Sequence, residues 1–122
     1  TSSGTAVPNL HPAVIEASND GIPLIILTAD RPYEARDVGA NQAIDQVKLF
    51  GNAVRWFRDI PPPHSDVPVS VALSDANQAV RLAGGMMGPI HLNIQFRENL
   101  APDPGPIRGE TRAVDNTSAR KG

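Results

Sequence analysis

The hydrophobic residues of the chain are concentrated in three short runs, each bounded by glycine, proline or charged residues. The runs are IPLIILTA at positions 22–29, AVRWFRDI at 53–60 and GPIHLNIQF at 88–96. The first is continuously apolar, which is typical of a central parallel strand covered on both faces. The third alternates its apolar residues with His91, Asn93 and Gln95. We therefore predict three strands.

A helix is predicted before the first strand, within the segment TSSGTAVPNLHPAVIEASNDG. Ser2, Ser3 or Thr5 can cap its first N–H groups, and Pro12 is expected to kink it. The turn residues at positions 19–21 are expected to end it.

Two further helices are predicted between the strands. Asn41 is a plausible N-cap for the first, which is expected to stop at Gly51. Asp66 can cap the second, with the Gly84-Gly85 pair as its end.

Helices that alternate with apolar strands indicate an α/β fold built on a partial doubly wound parallel sheet. Positions 1–100 are expected to form part of one such domain. Positions 101–122 are rich in proline, glycine and charge, with few apolar residues, so we predict a linker or a disordered C-terminal tail there.

Composition excludes several classes of protein. The 122 residues suffice for one small domain, and a net charge of −2 leaves no basic surface for nucleic acid. No apolar run approaches the roughly 20 residues of a membrane span. Cysteine is absent, which removes disulfides and thiolate metal sites from consideration.

Candidate chemistry follows the first predicted strand. In open parallel sheets, ligands bind beyond the carboxyl ends of the strands, and this strand delivers Asp30 and Arg31 to that edge. Pro32 restricts the backbone of Arg31, and a guanidinium can hold a carboxylate with two parallel hydrogen bonds. Asn41 and Gln42, at the predicted helix start, can offer amide groups beside it.

A simpler interpretation stays open on the residues alone. Arg31 could pair at the surface with Asp30, Glu34 or Asp37, while Asn41 could serve only as a cap.

Two other motifs carry weaker signals. The SSGTA segment lies at a predicted turn, where Gly4 would permit close backbone approach to a ligand, although an ordinary capped turn explains it equally well. His11, His64 and His91 are far apart in sequence and show no metal-ligand spacing.

The succession TSSGTAVPNLHPAVIEAS, LIILTADRPYE, GANQAIDQVKLFG and GPIHLN resembles the 2-succinyl-5-enolpyruvyl-6-hydroxy-3-cyclohexene-1-carboxylate synthases. NQAIDQV and the PPP spacer are most similar to the multifunctional plant and algal form. The resemblance implies the second half of a pyrimidine-binding domain, in a transferase of menaquinone and phylloquinone biosynthesis.

The family's reaction is also implied by the resemblance. Thiamine diphosphate serves as the electron sink while 2-oxoglutarate loses carbon dioxide, and the succinyl carbanion then adds to isochorismate. Mg²⁺ (or Mn²⁺) holds the diphosphate, and the intact enzyme is a homo-oligomer, either a dimer or a tetramer. A plant or algal protein would be plastidial, and a bacterial one cytoplasmic.

By motif match, Arg31 is the family's substrate-binding arginine, and Asn41 and Gln42 are its amide pair. Ser3, Gly4 and Thr5 are expected to border the aminopyrimidine end of the cofactor.

The family's catalytic glutamate precedes the TSSG motif, and its metal ligands belong to a separate C-terminal domain. We therefore expect no catalytic or metal-binding residue in this chain, and no activity from the chain alone. Gln95 and Asn99 stand where the family usually has proline, which affects the exit from the last strand. Two alternatives stay open: a non-catalytic oligomerisation or interaction module, and a thiamine enzyme of the acetolactate-synthase type.

Overall fold

The structure, a computed structural model, describes residues 1–98 and residue 100. Its three strands are β1 (Leu24–Asp30), β2 (Trp56–Ile60) and β3 (Pro89–Gln95). They form one parallel sheet in the order β1-β3-β2, with β3 in the centre. The predicted strands and the α/β parallel-sheet class are confirmed. The predicted tail lies outside the described residues.

The first helix, α1, spans His11–Asn19 and follows two short 3₁₀ turns at Gly4–Ala6 and Pro8–Leu10. The predicted caps Ser2, Ser3 and Thr5 are wrong for this helix, because its first turn starts at His11 and no side chain caps it. The predicted end is confirmed: Asp20 caps the last turn and Gly21 turns the chain with a φ of 66°.

The second helix, α2, spans Val69–Met86. The predicted cap at Asp66 is wrong, since the helix begins directly after the extended backbone of Pro68. The predicted stop at the glycine pair is also wrong, because the helix continues for one more residue and ends where Met87 adopts a φ of 48°. A glycine costs an exposed helix only about 1 kcal/mol, so two of them near its end are tolerated.

The helix predicted between Asn41 and Gly51 is also wrong. The segment is a series of turns, in which Gln42 and Lys48 each have a φ of 54°. These left-handed conformations interrupt a helix. The turns instead place Gln46 and Phe50 in the interior, where they are 1% and 2% exposed, so tertiary burial overrides a weak local preference.

Both faces of the sheet carry a hydrophobic core, but the central, fully covered position predicted for the first strand is wrong. In the described sheet β1 is an edge strand, and Ile25 and Leu27 on its second face are 38% and 51% exposed. On one face, Val7 and Val14 pack with Ile26 and Phe50. On the other, residues of α2 pack against β3; the buried members of that core are Ala79, Ala83, Ile90 and Leu92.

The first face changes from apolar to polar along the strands. One row of the parallel register contains Ile26, His91 and Phe57. The next row toward the carboxyl ends contains Thr28, Asn93 and Asp59, and Asp30 lies beside Gln95 at the edge. The sheet therefore presents a polar surface where parallel sheets bind ligands.

Candidate functional site at the carboxyl edge of the sheet

Arg31 follows the last residue of β1 and lies at the carboxyl edge. Its Nε donates a hydrogen bond to the backbone oxygen of Asn41 at 3.0 Å. One of its terminal nitrogens lies 3.7 Å from Glu98, whose side chain is 83% exposed. The simpler interpretation named Asp30, Glu34 or Asp37 as surface partners of this guanidinium, but its ion pair is with Glu98.

Asn41 and Gln42 lie in the turn that faces Arg31, and neither starts a helix. Asn41 contributes its backbone carbonyl to Arg31 and keeps its side chain exposed. Gln42 lies against Gly4, where an added Cβ would come within 3.0 Å of the Gln42 carbonyl oxygen. Gly4 has a φ of 79° as well, so both close packing and backbone conformation favour glycine there.

Two adjoining clefts bring together four of the six predicted site residues. Ser3, Arg31 and Gln42 all line a cleft of about 150 Å³. Arg31 also lines a neighbouring cleft of about 400 Å³, together with Asn41. Gly4 and Thr5, which are also expected near the cofactor, line neither cleft: Gly4 is buried and Thr5 is exposed.

A third, larger cleft of about 600 Å³ lies between β2 and α2, away from the predicted site residues. Trp56, Arg58 and Asp75 are among its lining residues, and Arg58 lies 3.4 Å from the Asp75 carboxylate.

A charge cluster of Arg36, Asp30 and Asp59 lies next to the carboxyl edge of the sheet. The Arg36 guanidinium donates to Asp30 at 2.8 Å and to Asp59 at 3.1 Å. The Asp30 side chain is only 1% exposed, so this pairing offsets a large desolvation cost. Partial burial opposes ionisation of Asp59, but the hydrogen bonds and charge of Arg36 outweigh it and lower the pKa of that carboxyl. The two carboxylates raise the pKa of Arg36 in return, against its own partial burial.

His91 lies in the centre of the sheet, with no exposed surface. Its Nε2 is 2.8 Å from Thr28 Oγ1, and its ring packs against Phe50 and Phe57. Burial lowers the pKa of His91 to about 4, although Asp59 and Asp30 partly oppose that shift. The imidazole is therefore neutral at physiological pH.

Within residues 1–98 and 100, no three His, Asp or Glu side chains gather as metal ligands would. Over the same residues, neither helix combines the length and apolarity that a membrane crossing requires.

Sequence reasoning missed the polar side chains beneath the edge. The structure places Arg36, Gln46, Asp59 and Asn93 there, and none had been named as a site residue. One signal was available: His91, Asn93 and Gln95 alternate in a strand flanked by apolar residues. Buried polar groups need partners, so such a stripe on a central strand predicts a hydrogen-bond network.

The fold and site define the chain as a parallel α/β segment whose sheet edge carries an arginine and two carboxamides in adjoining clefts. Its relatives agree on a more specific class. The chain is 53% identical over 103 residues to the 2-succinyl-5-enolpyruvyl-6-hydroxy-3-cyclohexene-1-carboxylate synthase of Salinibacter ruber. The aligned region covers 84% of the chain and 17% of that protein. It is 44% identical over 120 residues to the same-named synthase of Chlorobium luteolum, covering 98% of the chain and 20% of the relative.

A plant protein is similar as well. The chain is 53% identical over 105 residues to Protein PHYLLO, chloroplastic, of Arabidopsis thaliana, covering 85% of the chain and 6% of that protein. No family model matches the chain. The chain belongs to the 2-succinyl-5-enolpyruvyl-6-hydroxy-3-cyclohexene-1-carboxylate synthase family and spans no more than about a fifth of the length of these three relatives.

Proposed function

We propose that this chain acts as part of a thiamine-diphosphate-dependent carboligase that decarboxylates 2-oxoglutarate and adds the succinyl unit to isochorismate. The product would serve menaquinone or phylloquinone biosynthesis. The names of the relatives support this proposal, and the placement of Arg31 is the structural observation that carries it.

Arg31 is held in a way that suits carboxylate binding. Its Nε is fixed by the Asn41 carbonyl, and its side chain is one-fifth exposed. The ion pair to Glu98 is long and solvent-exposed, and such pairs contribute little stability. A ligand carboxylate can therefore replace Glu98 at small cost and form shorter, charge-assisted hydrogen bonds. Isochorismate carries two carboxylates, which gives this arginine a chemical task.

The neighbouring amides suit the remaining polar groups of such a substrate. Asn41 and Gln42 each offer two N–H donors and an accepting oxygen, and both side chains are exposed at the clefts. We propose that they orient the ring hydroxyl and the second carboxylate while Arg31 holds the first.

The cofactor would occupy the side of the smaller cleft that Ser3 lines, at the start of the Ser3–Gly4–Thr5 turn. When bound, thiamine diphosphate supplies the electron sink for decarboxylation. Ser3 would offer its hydroxyl to one end of it, while the missing Cβ at Gly4 allows the turn to lie against Gln42. We propose that Mg²⁺ and the diphosphate are held by other parts of a homo-oligomeric enzyme.

The proposal can be tested in a chimera. The segment of the Salinibacter ruber synthase that aligns with this chain would be replaced by the sequence of the chain. Carbon dioxide release from 2-oxoglutarate and product formation with isochorismate would then be measured separately. A chimera that folds and binds thiamine diphosphate but catalyses neither step would contradict the proposed function.

Substitution of Arg31 by alanine in that chimera tests the substrate role. Loss of a charge-assisted hydrogen bond costs about 1.5–3 kcal/mol, so kcat/KM for isochorismate should fall about 10- to 150-fold. Decarboxylation of 2-oxoglutarate should be spared. Arg81→Ala, which removes the same charge from an exposed position on α2, is the control and should change neither step. Equal losses in both half-reactions would refute the assignment of Arg31.

A further inference from the structure

Asn93 is the centre of a buried hydrogen-bond network beneath the candidate site. Its Oδ1 accepts from Thr28 Oγ1 and from Gln46 Nε2, both at 2.8 Å. Its Nδ2 donates to Asp30 at 2.8 Å and to Asp59 at 2.9 Å. All the hydrogen-bonding capacity of this amide is therefore used, so its orientation is fixed.

Gln46 connects Asn93 to the Gly4 turn. Its Oε1 accepts from the backbone N–H of Gly4 at 2.8 Å. Its Nε2 donates to the Ala29 carbonyl at 3.0 Å as well as to Asn93. The side chain is 1% exposed, so water does not compete for these bonds. Gln46 thus ties the turn to the end of β1.

Asp30 connects Asn93 to the backbone of Arg31. Its Oδ1 accepts from the Arg31 N–H at 2.8 Å, while its Oδ2 accepts from Asn93 and Arg36. Three side chains therefore lead from the Gly4 amide to the Arg31 amide: Gln46, Asn93 and Asp30.

We propose that Gln46 and Asn93 are positioning residues that fix the spacing between the Gly4 turn, on the side proposed for the cofactor, and Arg31, the proposed substrate-binding arginine. This inference rests on the function proposed above. Neither side chain lines either of the two clefts, so each acts through the groups it holds. Catalysis that joins two substrates is sensitive to such spacing, because an error of about 1 Å can cost on the order of 100-fold in rate.

Two variants of the chimera test the inference by activity. Gln46→Met keeps the length of the side chain but removes its three hydrogen bonds, and Asn93→Leu removes the central amide. We expect each to raise the Kd for thiamine diphosphate and the KM for isochorismate at least tenfold.

Val14→Ala is the matched control, since Val14 is 1% exposed in the hydrophobic core on the same face of the sheet and its aliphatic side chain forms no hydrogen bond to the network. It should destabilise the fold while leaving both constants within twofold of the parent. If Gln46→Met and Asn93→Leu also leave them within twofold, or if Val14→Ala raises them as much, the inference is overturned.

Amide hydrogen exchange in the full 122-residue chain tests the coupling without activity. In Asn93→Leu, exchange at Gly4 and at Arg31 should accelerate together, at least tenfold, whereas Val14→Ala should not accelerate these two selectively. Unchanged exchange at either amide in Asn93→Leu would overturn the inference even if the chimera is active. An inactive parent chimera would contradict the proposed function and leave this exchange result to decide the coupling.

Discussion

Substitution of Arg36 is the most direct test of how the charge cluster at the candidate site contributes to stability. Its guanidinium donates three hydrogen bonds to two carboxylates, at 2.8 Å to Asp30 and at 3.1 and 3.2 Å to Asp59. Arg36→Met keeps most of the aliphatic stem but removes all three bonds. Asp30, with its side chain 1% exposed, would then lose its cationic partner.

The expected cost follows from this burial. Removing one partner of a buried ion pair costs about 3–5 kcal/mol. Because the Arg36 side chain is 22% exposed, water can replace part of the lost contact, and we expect about 3 kcal/mol at pH 7.

The loss of stability in Arg36→Met should depend on pH. Partial burial opposes ionisation of Asp59, but hydrogen bonds from Arg36, Asn93 and Gln95, together with the Arg36 charge, outweigh it and lower its pKa below the usual value of 3.8. A carboxyl with a lowered pKa contributes stability above its unfolded value, and that contribution is lost as the pH falls through its folded value. The difference in the free energy of unfolding between the wild type and Arg36→Met should therefore become smaller below about pH 4.

Urea denaturation followed by the fluorescence of Trp56, the single tryptophan, measures this effect. A loss of 3 kcal/mol should lower the midpoint by about 1–3 M. Arg97→Met is the control, because Arg97 and its partner Glu34 are both exposed, and we expect an unchanged midpoint. Similar midpoints for the two variants would refute the argument that burial makes the Arg36 cluster costly to break.

Two further predictions concern β3. His91 should not titrate between pH 5 and 8 by NMR, because burial lowers its pKa to about 4; a measured value near its usual 6.5 would contradict this. Because the pKa of His91 is lower in the folded chain, its protonation favours the unfolded chain. The neutral imidazole should therefore contribute about 3 kcal/mol to the free energy of unfolding above pH 6.5, and this contribution should decline as the pH falls toward 4. Asn93→Asp adds a third carboxylate beside Asp30 and Asp59, so it should be less stable than Asn93→Leu at pH 7. Because the added carboxyl would have a raised pKa, that difference in urea midpoint should shrink below pH 5, and a constant difference would be evidence against the buried cluster.

The strands could be predicted from the sequence because each is a short apolar run bounded by turn-forming or charged residues. The run before Asp30 is bounded by turn residues on one side and charge on the other, so its ends were visible locally. The segment after Asn41 was not predictable in this way. Its helix-like spacing of apolar residues gave no sign that Gln46 would be needed at the Gly4 amide, 42 residues away.

The residues of the candidate site also fall into those that local sequence could predict and those that it could not. Arg31 could be predicted because one strand carries it to the sheet edge, and that requires only local reasoning. The network beneath it depends on pairs that are remote in sequence, such as Thr28 with Asn93, 65 residues apart. The order β1-β3-β2 creates these pairs, since it places β3 between two strands that each supply one carboxylate.

The polar face of β3 separates two requirements that the proposed substrate role places on Arg31. Ligand binding requires a guanidinium that can exchange partners, and the weak contact with exposed Glu98 satisfies that requirement. Placement requires a fixed backbone, and the buried Asp30 carboxylate provides it through the Arg31 amide. Removing the partner of a buried polar group is costly, so a defect at Asn93 would loosen the backbone without touching the guanidinium. In the proposed role, the Arg31 guanidinium can therefore change partners because the Asp30 carboxylate holds the Arg31 backbone in place.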